Sequence, residues 1–290
     1  MRELDEHSIT AEVIDRFAGG TDPRLRTVLT SLVRHVHDFV RDVELTEAEW
    51  VTAVQYLTRT GQMCDDARQE FILLSDVFGV STLVDAINNR PAPGATQSTV
   101  LGPFFVEAAP PAEQGVNIDP GDSKGGVPLY VDVSVTDPAG LPIGGAIVAV
   151  WHSDAEGFYD VQRDTTALAR RARFITTQDG GLRFWTTMPA SYPIPDDGPV
   201  GQLLNATGRH PWRPAHVHFM IQAEGFRQLV THVFVDGDQY LDSDAVFGVK
   251  EMLIDGFPEQ PPGTAPDGSV QAAPWHLLRY RFGLTPVSPG

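Results

Sequence analysis

His216 and His218 stand two residues apart in the run Arg213-Pro214-Ala215-His216-Val217-His218-Phe219-Met220. The run has strand character, and in a strand alternate side chains share a face. The two imidazoles therefore point the same way, with backbones about 7 Å apart, and can converge on one metal ion. Arg213 brings a permanent cation to the same place. Taken alone, the pair is either a metal clamp or two structural strand histidines. Arg213 is either a stabiliser of developing negative charge or one half of a salt bridge. A clamp would need further ligands, three or four in all.

Candidates for those ligands are few. Cys64 is the single cysteine, which excludes multi-cysteine zinc sites and an intrachain disulfide. No third histidine or carboxylate stands at a ligand-like spacing from the pair. Asp236, Asp238, Asp242 and Asp244 crowd a segment that reads as a turn with solvated carboxylates. It lacks the spacing and closing Glu of an EF-hand. His7, His35, His37, His152, His210, His232 and His276 are scattered and read as structural or surface residues. His35 and His37 fall in a predicted helix, where positions i and i+2 do not share a face. Two of the six tyrosines stand out: Tyr159 in Gly157-Phe158-Tyr159-Asp160, and Tyr192 between Pro189 and Pro195. Both sit at strand ends, where sites are usually built. Each is either a buried ring with its hydroxyl bonded or an anionic ligand. The second reading needs a strong positive charge nearby, since a free phenol titrates near pH 10. Fe³⁺ supplies that charge better than Zn²⁺ or Mg²⁺.

The elements that must position these groups change character near residue 90. Before it, apolar residues recur at helical spacing. Leu25, Leu29, Leu32, Val33, Val36, Phe39 and Val40 form one stripe after Pro23, a residue suited to a helix start. Thr46 and Glu49 fit a capping box ahead of Trp50, Val54 and Leu57. Two shorter helices are predicted through 71–78 and 83–87. Residues 91–128, punctuated by Pro91, Pro93, Gly94, Pro110, Pro111, Gly125 and Gly126, cannot stay regular for long. Beyond them the period is two. Strands are predicted over 129–135, 145–151, 173–177, 182–187, 215–221, 229–235 and 279–282, with Gly180-Gly181 as a hairpin turn. The Pro- and Gly-rich tail around 258–266 wraps or dangles. These features predict a mainly β protein: a β-sandwich core over 96–290 behind a helical region over 1–95.

At 290 residues and 42% hydrophobic, the chain can build a real core. Its net charge of −17 and the lack of a basic stripe argue against nucleic acid. The charged N-terminus is not a signal peptide, and no run of about 18 apolar residues exists. A cytoplasmic protein with no membrane insertion is expected.

Leu101-Gly102-Pro103-Phe104, Gly157-Phe158-Tyr159-Asp160, the loop from Pro189 to Pro195 and Arg213-Pro214-Ala215-His216-Val217-His218 together resemble the intradiol ring-cleaving dioxygenases in order and spacing. The resemblance covers nearly the whole chain. It implies one non-haem Fe³⁺ per subunit, held by Tyr159, Tyr192, His216 and His218 with a hydroxide. It implies a small aromatic diol or triol and O₂ as substrates, with Tyr192 the ligand that gives way and Arg213 stabilising charge on the ring. Leu73, Asp76, Val100, Leu101, Gly102, Pro103, Phe104, Ile194, Pro195, Arg213 and Val246 would line the substrate pocket. Asp76 would accept a hydrogen bond from a third hydroxyl, or else be a solvated helix residue. Pro193 to Gly201, Gly208 to Trp212, Thr231-His232 and Tyr240 to Gly248 are most similar to the branch acting on hydroxyquinol (benzene-1,2,4-triol). A catechol-cleaving relative would more typically carry Gln at the position of His232. Cleavage of catechol or chlorocatechol on the same scaffold is the alternative. Zinc hydrolysis and a non-catalytic sandwich module are the readings outside this family. The resemblance also implies a homodimer through the N-terminal helices, and it admits a lipid bound between them.

Overall fold

The computed structural model describes residues 4–65, 68–121, 124–163 and 168–287. It divides into two compact units, Met1–Arg59 and Thr60–Gly290. The first holds α1 (Ile9–Arg16), α2 (Pro23–Asp42) and most of α3 (Glu47–Gln62). Asp22 caps α2 by accepting from the amides of Arg24 and Leu25 at 2.8 and 3.1 Å, a contact worth about 1 kcal/mol. The Thr46–Glu49 capping box forms as predicted. The α2 stripe does not reach a core: no residue of α2 is buried, and Leu25, Leu32 and Phe39 are each more than half exposed. Helix α1 was not legible as a helix, being only eight residues long.

The second unit opens with α4 (Glu70–Val77) and α5 (Val80–Asn88). Then follow β1 (Pro128–Thr136), β2 (Ile147–His152), β3 (Arg171–Ile175), β4 (Gly181–Thr187) and the two-residue β5 (Tyr192–Pro193). A sixth helix, α6 (Pro199–Ala206), precedes β6 (Trp212–Arg213), β7 (His216–Gln222), β8 (Leu229–Val235) and β9 (Ile254–Asp255). The chain closes with β10 (Glu259–Gln260), β11 (Gly263–Thr264), β12 (Val270–Gln271) and β13 (Trp275–Gly283). One sheet runs β10-β13-β1-β4 and the other β3-β2-β7-β8-β9. The Pro-rich tail therefore wraps: β10 pairs with β13, and β11 with β12.

The two sheets form the predicted sandwich. Val131, Val133 and Val135 of β1, Phe184 of β4 and Phe282 of β13 meet Val148 and Val150 of β2, Phe174 of β3 and Val217, Phe219 and Ile221 of β7 in one buried cluster. Burial on the order of 1.5–3 kcal/mol per large apolar side chain drives this packing. Gly180-Gly181 is not a hairpin. β3 and β4 belong to different sheets, so the turn carries the chain across the sandwich. Gly180 is required there: its φ is +73°, and a Cβ would lie 2.4 Å from the Val135 carbonyl oxygen. The irregular stretch after α5 is tied down by scattered hydrogen bonds, such as Thr96 N–H to the Gly283 carbonyl and Thr99 N–H to the Val230 carbonyl. No helix among the described residues is long and apolar enough to cross a membrane.

At the end of β2, His152 is 1% exposed. Its Nδ1 faces the Ser153 carbonyl at 2.7 Å and its Nε2 the Thr186 hydroxyl at 2.7 Å. A carbonyl only accepts, so Nδ1 carries the proton and Nε2 accepts. Burial foremost holds this ring neutral, with a pKa lowered from 6.5 to about 4. The unfolded chain takes up a proton in that interval and the folded chain does not, so stability falls as pH drops from 6.5 towards 4. His152→Gln should flatten this part of the profile by about 2–3 kcal/mol. Urea unfolding at pH 7 and 4.5 checks it, and parallel profiles for the two proteins would disprove the assignment.

Candidate active site

Because Val217, Phe219 and Ile221 face the core, His216 and His218 face outward from the five-stranded sheet. In the ladder His218 stands between Trp151 of β2 and His232 of β8. Tyr192 and Arg213 are paired residues of the short β5–β6 ladder. Tyr159 precedes a single 3₁₀ turn at Asp160–Gln162, where its amide donates to Gln162 Oε1 at 2.9 Å.

These side chains converge. His216 Nε2 lies 3.0 Å from His218 Nε2, and His218 Nε2 lies 3.0 Å from the Tyr159 hydroxyl. The Tyr159 hydroxyl is 3.3 Å from that of Tyr192. All four residues are at most 2% exposed. His216 Nδ1 lies 2.7 Å from the Pro214 carbonyl, so Nδ1 carries the proton and Nε2 presents its lone pair. Bonds of about 2.0–2.1 Å to one cation would leave adjacent donor atoms roughly 3.0–3.4 Å apart, and the observed spacings match. The chemistry fits as well. Burial foremost, then the neighbouring charges, holds both histidines far below their ordinary pKa, in the neutral form that ligates. Burial, and next Tyr192, pushes the Tyr159 phenol well above 10. Only a bound cation would make that phenol an anion.

Arg213, 2% exposed, stands over this cluster. Its Nη1 is 3.3 Å from the Tyr192 hydroxyl and 3.4 Å from His216 Nε2. Asp244 aims it, accepting from Nε at 3.1 Å and Nη2 at 3.4 Å. Asp244 also accepts from the amides of Gly248 at 2.8 Å and Val246 at 3.4 Å. Burial lowers the Arg213 pKa, but the Asp244 carboxylate and the two phenols outweigh it, leaving it raised. Asp244 is thus not the solvated turn residue that its sequence context suggests. The residues between Trp212 and Gly248 fold it inward, to 5% exposure. Asp238 is likewise engaged, accepting from Ser191 Oγ at 2.5 Å and the Ala215 amide at 2.9 Å.

The other predicted residues divide. Phe104 stacks on Tyr159 with centroids 4.5 Å apart. Arg171, paired to buried Asp160, donates to the Phe104 carbonyl at 3.0 Å and so ties Phe104 to the Tyr159 turn. A Cβ on Gly102 would lie 3.3 Å from His218 Cε1. Val100 supplies the carbonyl that His232 Nε2 meets at 2.9 Å. Leu73 and Asp76 are buried on α4, and Ile194 and Val246 are buried too. Asp76, 3% exposed, is not a solvated helix residue. Burial foremost raises its pKa, opposed by a Ser81 hydrogen bond and the Arg213 charge. Pro195 is half-buried, while Leu101 and Pro103 are exposed. Leu101 lines a groove of about 390 Å³ with Phe105 and Met220. A larger cavity of about 470 Å³ opens beside Asp244 and Phe247, and none of the four convergent side chains lines it. Donor geometry, not cavity size, marks the site.

Two models match the chain: that described as "Dioxygenase" over residues 100–276 and that described as "Catechol dioxygenase N terminus" over residues 22–96. The chain is 53% identical over 265 residues to a 6-chlorohydroxyquinol 1,2-dioxygenase of Cupriavidus pinatubonensis, covering 91% of this chain and 95% of that one. It is 48% identical over 287 residues to a hydroxyquinol 1,2-dioxygenase of Nocardioides simplex, covering 99% and 97%. The crystal structure of a hydroxyquinol 1,2-dioxygenase from Pseudomonas putida DLL-E4 superposes with a TM-score of 0.90 at 46% identity, covering 97% and 99%. The chain belongs to the intradiol ring-cleaving dioxygenase family. Membership implies non-haem iron.

For this dioxygenase the sequence had offered no third histidine near the pair, and the structure corrects that. His232 arrives through the β8 register, and His216, His218 and His232 are close enough to hold a metal between them. Their ring planes favour a different set. His232 lies nearly parallel to His216, centroids 4.5 Å apart and planes 16° apart, so their in-plane lone pairs do not meet at one nearby ion. The planes of His216 and His218 cross at 63°, and their Nε2 atoms do meet. His232 was visible in sequence as a branch marker. Asp244 and Trp151 carried no signal beyond the segments they stand in.

Removing Asp244 would leave Arg213 as a buried unpaired charge. Asp244→Ala should cost about 3–5 kcal/mol in unfolding free energy and lower kcat/KM by about 10²-fold or more. Denaturation and steady-state kinetics measure both, and a variant equal to wild type in the two would remove Asp244 from this role.

Proposed function

We propose that this protein is a hydroxyquinol 1,2-dioxygenase. It breaks the bond between the adjacent hydroxylated carbons of benzene-1,2,4-triol and adds one atom of O₂ to each, giving 3-hydroxy-cis,cis-muconate, the tautomer of maleylacetate, in aromatic degradation. The observation that carries the reading is the meeting of two phenol oxygens and two imidazole nitrogens beside a buried guanidinium. Tyr159, Tyr192, His216 and His218 would hold one Fe³⁺ per subunit. When bound, that ion supplies Lewis acidity that draws the two adjacent substrate oxygens in as anions and makes the ring electron-rich enough to react with O₂.

The side chains do the rest. Tyr192 would be the ligand that gives way, its phenolate oxygen taking one substrate proton and returning to the neutral phenol. Arg213, 3.3 Å from that hydroxyl, holds positive charge where the ring and the incoming oxygen gain negative charge. Its preorganised position, fixed by Asp244, makes that electrostatic help available without solvent rearrangement. Phe104, stacked on Tyr159, walls the site against water. Asp76, buried on α4, would accept a hydrogen bond from the third hydroxyl. The exposed Leu25, Leu32 and Phe39 of α2 support a homodimer through the N-terminal helices, with a lipid as a second occupant of that face. The single Cys64 supports a cytoplasmic location.

Purified protein should be red-brown from tyrosinate-to-Fe³⁺ charge transfer and carry one iron per chain. Tyr192→Phe should shift the visible band and reduce turnover strongly. A colourless, iron-free preparation that stayed active would sink the ligand set. On substrate choice, kcat/KM should be higher for hydroxyquinol than for catechol. Asp76→Ala should narrow the ratio by about 10-fold or more, since a buried group built to pair a hydroxyl discriminates strongly against its absence. The opposite wild-type preference would refute the branch assignment.

A further inference from the structure

The two histidines of the site are held in different ways. His216 is oriented by its own second nitrogen, which donates to the Pro214 carbonyl at 2.7 Å. Metal-binding histidines are usually fixed by such a bond. His218 has no counterpart. Its Nδ1 is buried and has no hydrogen-bond partner among the described residues, although the ring is 1% exposed. What surrounds the ring is flat surface. Trp151 stacks on it with centroids 4.5 Å apart and planes within 15°. His232 meets it edge-on at 4.0 Å and 70°. Gly102 approaches Cε1 so closely that a Cβ would lie 3.3 Å away.

The ladder explains how the stack arises. Trp151 and His218 are direct partners across β2 and β7, and both project from the outer face, so the indole lies against the imidazole by register alone. Trp151 is 1% exposed, and its Nε1 has no hydrogen-bond partner among the described residues. The indole thus carries a donor that no described residue accepts from, a polar group that a phenyl ring would avoid. What it contributes in return is a broad face over His218.

We infer that Trp151 is a positioning residue that fixes the ring plane of His218 for metal binding, in place of the hydrogen bond that orients His216. The inference rests on the iron-ligand set proposed above. Gly102 bounds the same slot at Cε1, and with φ at +78° it is a position where a side chain would be strained as well as crowded.

The test uses iron-loaded protein. Trp151→Met fills the space with an adaptable side chain that has no flat face, Trp151→Leu is its back-up, and Trp151→Phe restores a face. Phe174→Leu is the control: Phe174 is 1% exposed in the sandwich core and is not among the site residues. The readouts are the rhombicity of the ferric EPR signal, the rate of iron release to a chelator and the melting temperature. Trp151→Met should change the EPR rhombicity and release iron about 10-fold faster or more, the scale of outer-shell effects on metal affinity. Trp151→Phe should return both towards wild type. Phe174→Leu should lower the melting temperature while leaving rhombicity and release unchanged. Wild-type rhombicity and release in both the Met and Leu variants would overturn the inference, as would equal changes in the Phe174→Leu control. Wild-type protein without iron or ferric signal would overturn the ligand set itself, a failure distinct from the first.

Discussion

The alternation of β7 is the constraint on which everything else depends. Val217, Phe219 and Ile221 must face the other sheet to complete the sandwich core, and a strand has only two faces. His216 and His218 are thereby sent outward. A slip of one residue would put both imidazoles in the core and three large apolar groups in the site. The hydrophobic effect that folds the domain thus fixes the direction of the histidine pair. The same register sets Trp151 and His232 on either side of His218. One pairing determines both the donors and what packs against them.

Electrostatics then decide what the cluster can accept. The chain carries a net charge of −17, yet within its site burial keeps Tyr159, His216 and His218 neutral, beside one guanidinium and its carboxylate. Arg213 and Asp244 form a buried pair, and such a pair persists only where its geometry and extra hydrogen bonds offset desolvation. Here Gly248 and Val246 supply amides to Asp244. Gly248 matters for the same reason: a Cβ there would lie 3.0 Å from Arg213 Nη2 and 3.2 Å from Asp244 Oδ2. The pair brings positive charge to the phenols and imidazoles without leaving an unpaired ion in the interior.

What could be read from the chain follows the range of the interactions. The His-x-His spacing, the β-sandwich and the Thr46–Glu49 cap are local patterns and were legible. Tyr159 and Tyr192 were legible only together with the histidines, through motif order. Asp244 read as solvent-facing because nothing in its own turn shows that Arg213, 31 residues away, folds against it. His232 had no ligand-like spacing because its place beside His218 comes from strand pairing. Gly180-Gly181 has the composition of a hairpin turn, but composition does not say whether the next strand joins the same sheet. The α2 stripe has core periodicity, and periodicity does not say what covers it. Helix α6 is short, and its preceding prolines and glycine mask it.

The fold also treats its two phenols unequally. Tyr159 is pinned from several sides. Its amide donates to Gln162 at 2.9 Å, the next residue is locked to buried Arg171, and Phe104 lies over its ring. Tyr192 sits on a ladder of only two residue pairs, in a loop whose prolines remove amide donors. Its backbone makes close approach to Gly157, where a Cβ would fall 2.9 Å from the Ser191 carbonyl oxygen and 3.2 Å from Tyr192 Cβ. The two loops thus touch through a residue with no side chain. Displacing Tyr159 would disturb a buried ion pair, a stacked ring and a 3₁₀ turn. Displacing Tyr192 asks for rotation of one side chain whose hydroxyl already has Arg213 to receive it. Those contacts support the proposal that Tyr192, not Tyr159, is the phenol that yields its place to a substrate oxygen.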